Sequence, residues 1–127
     1  MKVFESFVIA VLGFHVLTAL TSSQQSGIES VTAPIVYVYA VFFSPIFEEL
    51  ICRKVIQDQL NKHIKTKYSI IFSGLVFATL HFNFSLFAGY FFAGLVWGYY
   101  YKKTGNIFVP IFSHFLFNYF ALLIQSF

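Results

Sequence analysis

Five long apolar stretches, at roughly 4–21, 31–50, 68–84, 86–101 and 107–127, take up most of this sequence and leave only short polar connectors. A bilayer-spanning helix needs about 20 apolar residues and accepts roughly 17–25, so only the fourth stretch is short. Backbone groups in lipid must be satisfied within the segment, which leaves helices or closed barrels. These runs are too continuous for the alternating pattern of barrel strands. The expected fold is all-α: a polytopic transmembrane helical bundle of about five spans, forming a single domain over residues 1–127.

Composition agrees. Hydrophobic residues make up 58% of the chain and charged residues only 10%, against roughly 25% charged in average globular chains. The net charge of +3 does not point to nucleic acid, because the basic residues cluster at the ends of the apolar stretches. Arg53, Lys54, Lys62, Lys65 and Lys67 fall between stretches two and three, Lys102 and Lys103 between four and five, and Lys2 before the first. Five spans with a cytoplasmic N-terminus put all 8 basic residues on the cytoplasmic side, as the positive-inside rule requires. The setting expected is a membrane with the N-terminus on its cytoplasmic side. Lys2 before an apolar run resembles a signal peptide, but Glu5 and His15 interrupt it and no small-residue cleavage site precedes Thr21-Ser22-Ser23; a retained helix is expected.

Against this background two adjacent acids, Glu48 and Glu49, stand at the end of the second stretch. An ionisable group at mid-bilayer costs on the order of 2.5–3.5 kcal/mol on insertion scales, so such residues are rare and usually functional. Glu49 and Arg53 are four apart and share a helical face, which allows a carboxylate–guanidinium pair; a plain interfacial salt bridge is an equal reading. Glu48 projects about 100° away and has no local partner. His81, four residues after Phe77, and His114, four before Asn118, lie on later stretches and are the polar partners expected for Glu48. His15 reads as a packing residue and His63 as solvated. Cys52, the single cysteine, excludes an internal disulfide and reads as a reduced packing thiol.

Pro45 and Pro110 each precede a key polar residue, Glu49 and His114, by about one turn, where a proline loosens the backbone ladder. Gly89 with Ala93, and Gly94 with Gly98, form small-xxx-small pairs that let helices approach, or are glycines of the kind common in membrane helices. Tyr99, Tyr100 and Tyr101 read as an interfacial belt.

A carboxylate near imidazoles can take a proton from water as general base. Asn118 and one histidine can then donate hydrogen bonds to the oxyanion of a tetrahedral intermediate. Such a set suffices for peptide-bond hydrolysis without a covalent intermediate.

Three motifs occur in order: Glu-Glu-x-x-x-Arg at 48–53, Phe-x-x-x-His at 77–81 and His-x-x-x-Asn at 114–118, the last entered through Lys103-Thr104-Gly105-Asn106-Ile107-Phe108-Val109-Pro110-Ile111. The chain resembles the CAAX prenyl endopeptidase and bacteriocin-processing (CPBP, or Abi) family of intramembrane proteases, over about residues 40–120. The resemblance implies an intramembrane endopeptidase in a short version of the family core. Glu48 would activate water, His81 would help hold it, and His114 and Asn118 would stabilise the oxyanion. Glu49 and Arg53 would support the first of these helices. It also implies a membrane-tethered peptide or protein substrate, with roles among bacterial relatives in peptide export, bacteriocin maturation and self-immunity, and hence a peptide exporter as a partner. Family members commonly carry extra helices before the Glu-Glu motif, where this chain has one clear span.

Glu48, His81 and His114 are also the ligand set for zinc in a metalloprotease version. No His-Glu-x-x-His clamp is present, and Asn118 suits an oxyanion better than a metal, so a metal-free mechanism without cofactor is favoured. Two non-protease readings use the same residues: a membrane immunity or interaction protein of the same fold, and a proton-coupled carrier. The carrier is disfavoured by the single Glu cluster and the lack of an internal repeat. Counting ~1.5 Å per residue from the cytoplasmic ends leaves His81 about 10 Å deeper than Glu48, an offset the fold must remove.

Overall fold

The computed structural model describes residues 1–21 and 34–125; the connector expected at 22–30 and the outer ends of stretches two and five lie outside them. Among the described residues there are five long helices and no strand. Helix α1 is Lys2–Thr21. Helix α2 runs unbroken over 34–60, with Tyr39–Phe43 and Leu50–Gln57 wound as π-helix. Helix α3 is Thr66–Leu80. A 3₁₀ turn at Phe84–Leu86 leads to α4, Phe87–Thr104, and α5 is Phe108–Gln125. By length and composition α1 and the Ile35–Leu60 stretch of α2 are long enough to cross a membrane, while α3 and the Phe108–Ile124 part of α5 are shorter apolar helices. Large apolar side chains such as Phe4, Leu12, Phe72 and Phe112 face outward. So broad an exposed apolar surface suits hydrocarbon rather than water, and the molecule is an all-α helical membrane bundle.

Helix α4 is the centre, packing against α1, α3 and α5. Its small residues explain why. A Cβ on Gly94 would lie 3.0 Å from the Gly74 Cα of α3 and 3.2 Å from the Phe77 ring, so α3 and α4 cross with backbones nearly touching. This is the close approach that small-xxx-small patterns permit, and it decides between the two readings of Gly94. Gly94→Val is expected to force the crossing apart and lower the unfolding midpoint in detergent, far more than the same change at solvent-facing positions. Around the crossing, Ala10, Cys52, Phe77, Ala93, Val96, Trp97, Tyr100 and Phe117 form the core.

The second helix departs from the sequence expectation. It continues past Glu49 to Leu60 rather than stopping near residue 50. Hydropathy falls at Arg53-Lys54, yet nothing there breaks a helix, and Arg53 and Gln57 turn inward and are fully buried. From the α2–α3 turn, Glu48 is then 12 residues back along α2 and His81 is 15 residues along α3. These are axial distances of about 18 and 22 Å at ~1.5 Å per residue, so most of the expected depth offset disappears.

Two prolines act differently. In α2 the Ser44 N–H bonds the Tyr39 carbonyl, the i→i+5 register. In that register the Ala40 carbonyl would need a donor from Pro45, which has no N–H. The orphan is taken by Asn118, whose Nδ2 donates to Ala40 O at 2.9 Å. Pro110 lies in the first turn of α5, where the missing N–H would have no helical partner anyway, so it does not loosen the ladder before His114.

The tyrosine belt also needs correction. Only Tyr99 is exposed; Tyr100 and Tyr101 are buried and donate to Glu5 Oε1 at 2.6 Å and Asp58 Oδ2 at 2.8 Å, fastening α4 to α1 and α2. Glu5 also pairs with Lys2, which accounts for an acid inside the first stretch. Helix α4 ends at Gly105 with φ 64°, its N–H on the Tyr101 carbonyl. Helix α3 instead ends on Phe82, a non-glycine residue at φ 48° directly after His81 and 82% exposed. Left-handed backbone costs roughly 1–2 kcal/mol for such a residue. Phe82→Gly is therefore expected to raise the unfolding midpoint modestly, and Phe82→Val to lower it.

Candidate active site

The three motifs meet. Glu48 from α2 points its Oε2 at His81 Nε2, 3.8 Å away at the end of α3, and at His114 Nε2, 3.9 Å away on α5. The second carboxylate does different work. Glu49 is fully buried and accepts from Arg53 Nε at 2.7 Å. Its other oxygen faces His114 Nδ1 at 3.3 Å. The i,i+4 geometry thus gives a buried pair, and that pair also aims His114.

Arg53 extends the support. Its Nη1 donates to Ser73 Oγ at 2.7 Å, and Ser73 in turn donates to the Cys52 carbonyl at 2.8 Å, tying α2 to α3. Cys52 is buried and lies behind the site as packing.

Both imidazoles are fixed in tautomer by what their Nδ1 atoms meet. His81 Nδ1 lies 2.9 Å from the Phe77 carbonyl, which can only accept, so Nδ1 carries the proton. His114 Nδ1–H donates likewise to Glu49. In the neutral rings each Nε2 is then a lone pair, and both lone pairs face Glu48 Oε2, itself a buried acceptor without a hydrogen-bond partner. Three acceptors around one point require an occupant that brings protons or positive charge.

Zinc and water make different demands. Tetrahedral zinc with bonds of about 2.0–2.1 Å sets its ligand atoms roughly 3.3–3.4 Å apart; the Glu48 edges here are 3.8 and 3.9 Å. Among the described residues no three His, Cys, Asp or Glu side chains form a group that could hold a metal ion. As arranged, the three atoms would have to draw together by about half an ångström to ligate zinc, while a water can give its two hydrogens to two of the three acceptors.

Several contributors lay outside the motifs. Ser44, one turn before Glu48, donates to Glu48 Oε1 and supplies the local partner that Glu48 was expected to lack. The i−4 spacing was a readable signal. Trp97 stacks on His114 with centroids 4.2 Å apart and donates from Nε1 to Ser113. Tyr90 stacks on His81 at 3.9 Å, and Phe77 packs against both histidine rings. In a chain with 19 Phe and 8 Tyr, no pattern marks which aromatics form these shelves.

A cavity of about 500 Å³ opens beside the cluster. Its lining includes Ser44, Glu48, His81, Tyr90 and Asn118 among apolar side chains of α1, α2 and α5. His15 also lines it, with its Nδ1 on the Val11 carbonyl, rather than packing in the core. His114 stands behind Glu48, 2% exposed. His63 is exposed, as expected.

Comparison with known proteins agrees with the motifs. The family model described as type II CAAX prenyl endopeptidase Rce1-like matches residues 30–120. "Putative membrane peptidase YdiL" of Bacillus subtilis (strain 168) is 28% identical over 92 residues, covering 72% of this chain and 38% of that protein. "Membrane-embedded CAAX protease MroQ" of Staphylococcus aureus (strain USA300) is 33% identical over 98 residues, covering 72% of this chain and 40% of that protein. The chain therefore spans about two fifths of the length of these curated relatives. No solved structure matches. With most of its length under the family model and all three motifs joined at one cavity, the chain belongs to the Rce1-like family of type II CAAX prenyl endopeptidases.

Proposed function

We propose that this chain is an intramembrane endopeptidase that hydrolyses a peptide bond of a membrane-tethered peptide or protein, using a water activated by Glu48 and no metal. The observation that carries this reading is the buried, unpartnered Glu48 Oε2, faced by two imidazole nitrogens at 3.8 and 3.9 Å on the wall of a cavity. A water there gives one hydrogen to Glu48 and the other to His81 Nε2, leaving an oxygen lone pair for the scissile carbonyl. As that oxygen attacks, its proton passes to Glu48 and the carbonyl oxygen becomes an oxyanion. The same proton then moves to the amide nitrogen as the C–N bond breaks, so one water is consumed and Glu48 returns to its carboxylate form.

Asn118 has spent one N–H on Ala40 and keeps the other for the oxyanion. His114, its Nδ1–H committed to Glu49, contributes there only when Nε2 is also protonated. Glu49 and Arg53 hold His114 and α2 in place. The proposed setting is a bacterial cytoplasmic membrane with the N-terminus inside, and the proposed roles are bacteriocin processing or self-immunity beside a peptide exporter.

Purified protein in liposomes with membrane-tethered peptides tests the reading by mass spectrometry. Cleavage is expected in the natural chain and its loss in His81→Ala with the fold retained. Cleavage that survives His81→Ala unchanged would remove that imidazole from the mechanism. Ser44→Ala is expected to slow cleavage by about tenfold, the scale of one hydrogen bond of roughly 1.5 kcal/mol to a charged carboxylate. A non-catalytic immunity protein of the same fold would protect cells equally well with Glu48→Gln.

A further inference from the structure

Tyr90 is absent from the three motifs, yet it is built into the site. Its ring stacks on His81 with centroids 3.9 Å apart and planes within 24°. The Phe14 ring from α1 also packs against it edgewise, with centroids 5.2 Å apart and planes at 63°. The residue lines the same cavity as Glu48, His81 and Asn118. Packed against both rings, the tyrosine side chain has little freedom, so its hydroxyl is held in place relative to the His81 imidazole.

That hydroxyl is also uncommitted. The buried tyrosines on the next turns of α4, Tyr100 and Tyr101, give their O–H groups to Glu5 and Asp58. Tyr90 makes no such bond with any described residue and borders open space instead. A half-buried phenol usually finds a partner, because leaving the donor unpaired is costly. A cavity-lining donor with none is positioned to receive one from what enters the cavity.

The developing oxyanion has a matching need. Asn118 offers a single remaining N–H. His114 lies behind Glu48 at 2% exposure and outside the cavity lining, with its proton on Glu49. Oxyanion sites work through preorganised donors, commonly two, and removing one costs about 10²–10³ in rate. We infer that the Tyr90 hydroxyl is a catalytic donor that pairs with Asn118 on the oxyanion of the tetrahedral intermediate, while its ring holds His81 in register. The inference rests on the protease reading above.

Tyr90→Phe keeps the ring and the stack and removes only the donor. In the liposome assay it is expected to lower kcat by about 10²-fold, with KM within about threefold. The acid limb of the pH profile and the unfolding midpoint should stay unchanged, since the base and the fold are untouched. Tyr90→Leu, which also removes the stack, is expected to be slower still. A Tyr90→Phe enzyme with natural kcat would overturn the inference. So would a loss of rate that appears only together with a lowered midpoint, which is the mark of a structural role. Should the Phe variant fail to fold, 3,5-difluorotyrosine at position 90 keeps the shape and makes a more acidic phenol; cleavage must then fall at a lower pH than in the natural chain, and an unshifted upper limb would overturn the inference. Glu48→Gln in the same assay separates the two levels. If that variant still cleaves, the protease reading fails; if it is dead while Tyr90→Phe is normal, only the role of Tyr90 fails.

Discussion

Glu48→Gln should reduce cleavage of a membrane-tethered peptide by about 10³-fold or more while leaving the helix bundle intact. General-base assistance is worth about 10²–10⁴ in rate. Here one carboxylate both takes the proton from water and returns it to the leaving nitrogen, so its loss falls on both steps. The amide is nearly isosteric and can still accept from Ser44 at its oxygen. Its NH₂ can donate to the two imidazole Nε2 atoms that face this position. Far from leaving a hole, the substitution supplies donors where three acceptors now converge, so the unfolding midpoint should hold or rise slightly. Activity and stability moving in opposite directions is the signature of a site arranged for chemistry rather than for packing. The check is a cleavage time course beside a thermal melt on the same preparation.

Arg53→Met should have the largest effect on stability. Glu49 and Arg53 are both fully buried and joined at 2.7 Å. Breaking a buried pair by removing one partner costs about 3–5 kcal/mol, because the other charge stays buried and uncompensated. For a chain of this size that corresponds to a drop of roughly 10–20 °C in unfolding midpoint. Arg53→Lys should recover only part of it. A single ammonium cannot reproduce the fork that reaches Glu49 and Ser73 together. The double change Glu49→Leu with Arg53→Met should regain much of the stability, since paired apolar replacements avoid the stranded charge. Cleavage should not return with it, because His114 would have lost the acceptor that fixes its tautomer. Midpoints and cleavage rates for the three variants separate structural support from support of catalysis.

What could be read in advance follows the strength of local rules. Glu49 and Arg53 are one helical turn apart, so their pairing follows from helix geometry alone, and the ordered motifs on separate apolar stretches brought Glu48, His81 and His114 to one point. The extension of α2 to Leu60 was hidden because hydropathy marks where lipid ends, while a helix ends only where its backbone is broken or capped. The π-winding before Ser44 was also hidden. It comes from the conjunction of Pro45 with the side-chain amide of Asn118, which satisfies the freed Ala40 carbonyl 78 positions earlier. The aromatic shelves under the histidines were illegible for the opposite reason: rings are so abundant that Trp97 and Tyr90 carried no distinguishing mark, and only tertiary packing selects them.

The measurement that bears most directly on the account is the cleavage rate of metal-stripped protein in liposomes, held in a strong chelator, with and without added zinc. A carboxylate that activates water by itself predicts the same rate in both. Loss of cleavage on chelation, restored by zinc, would contradict it.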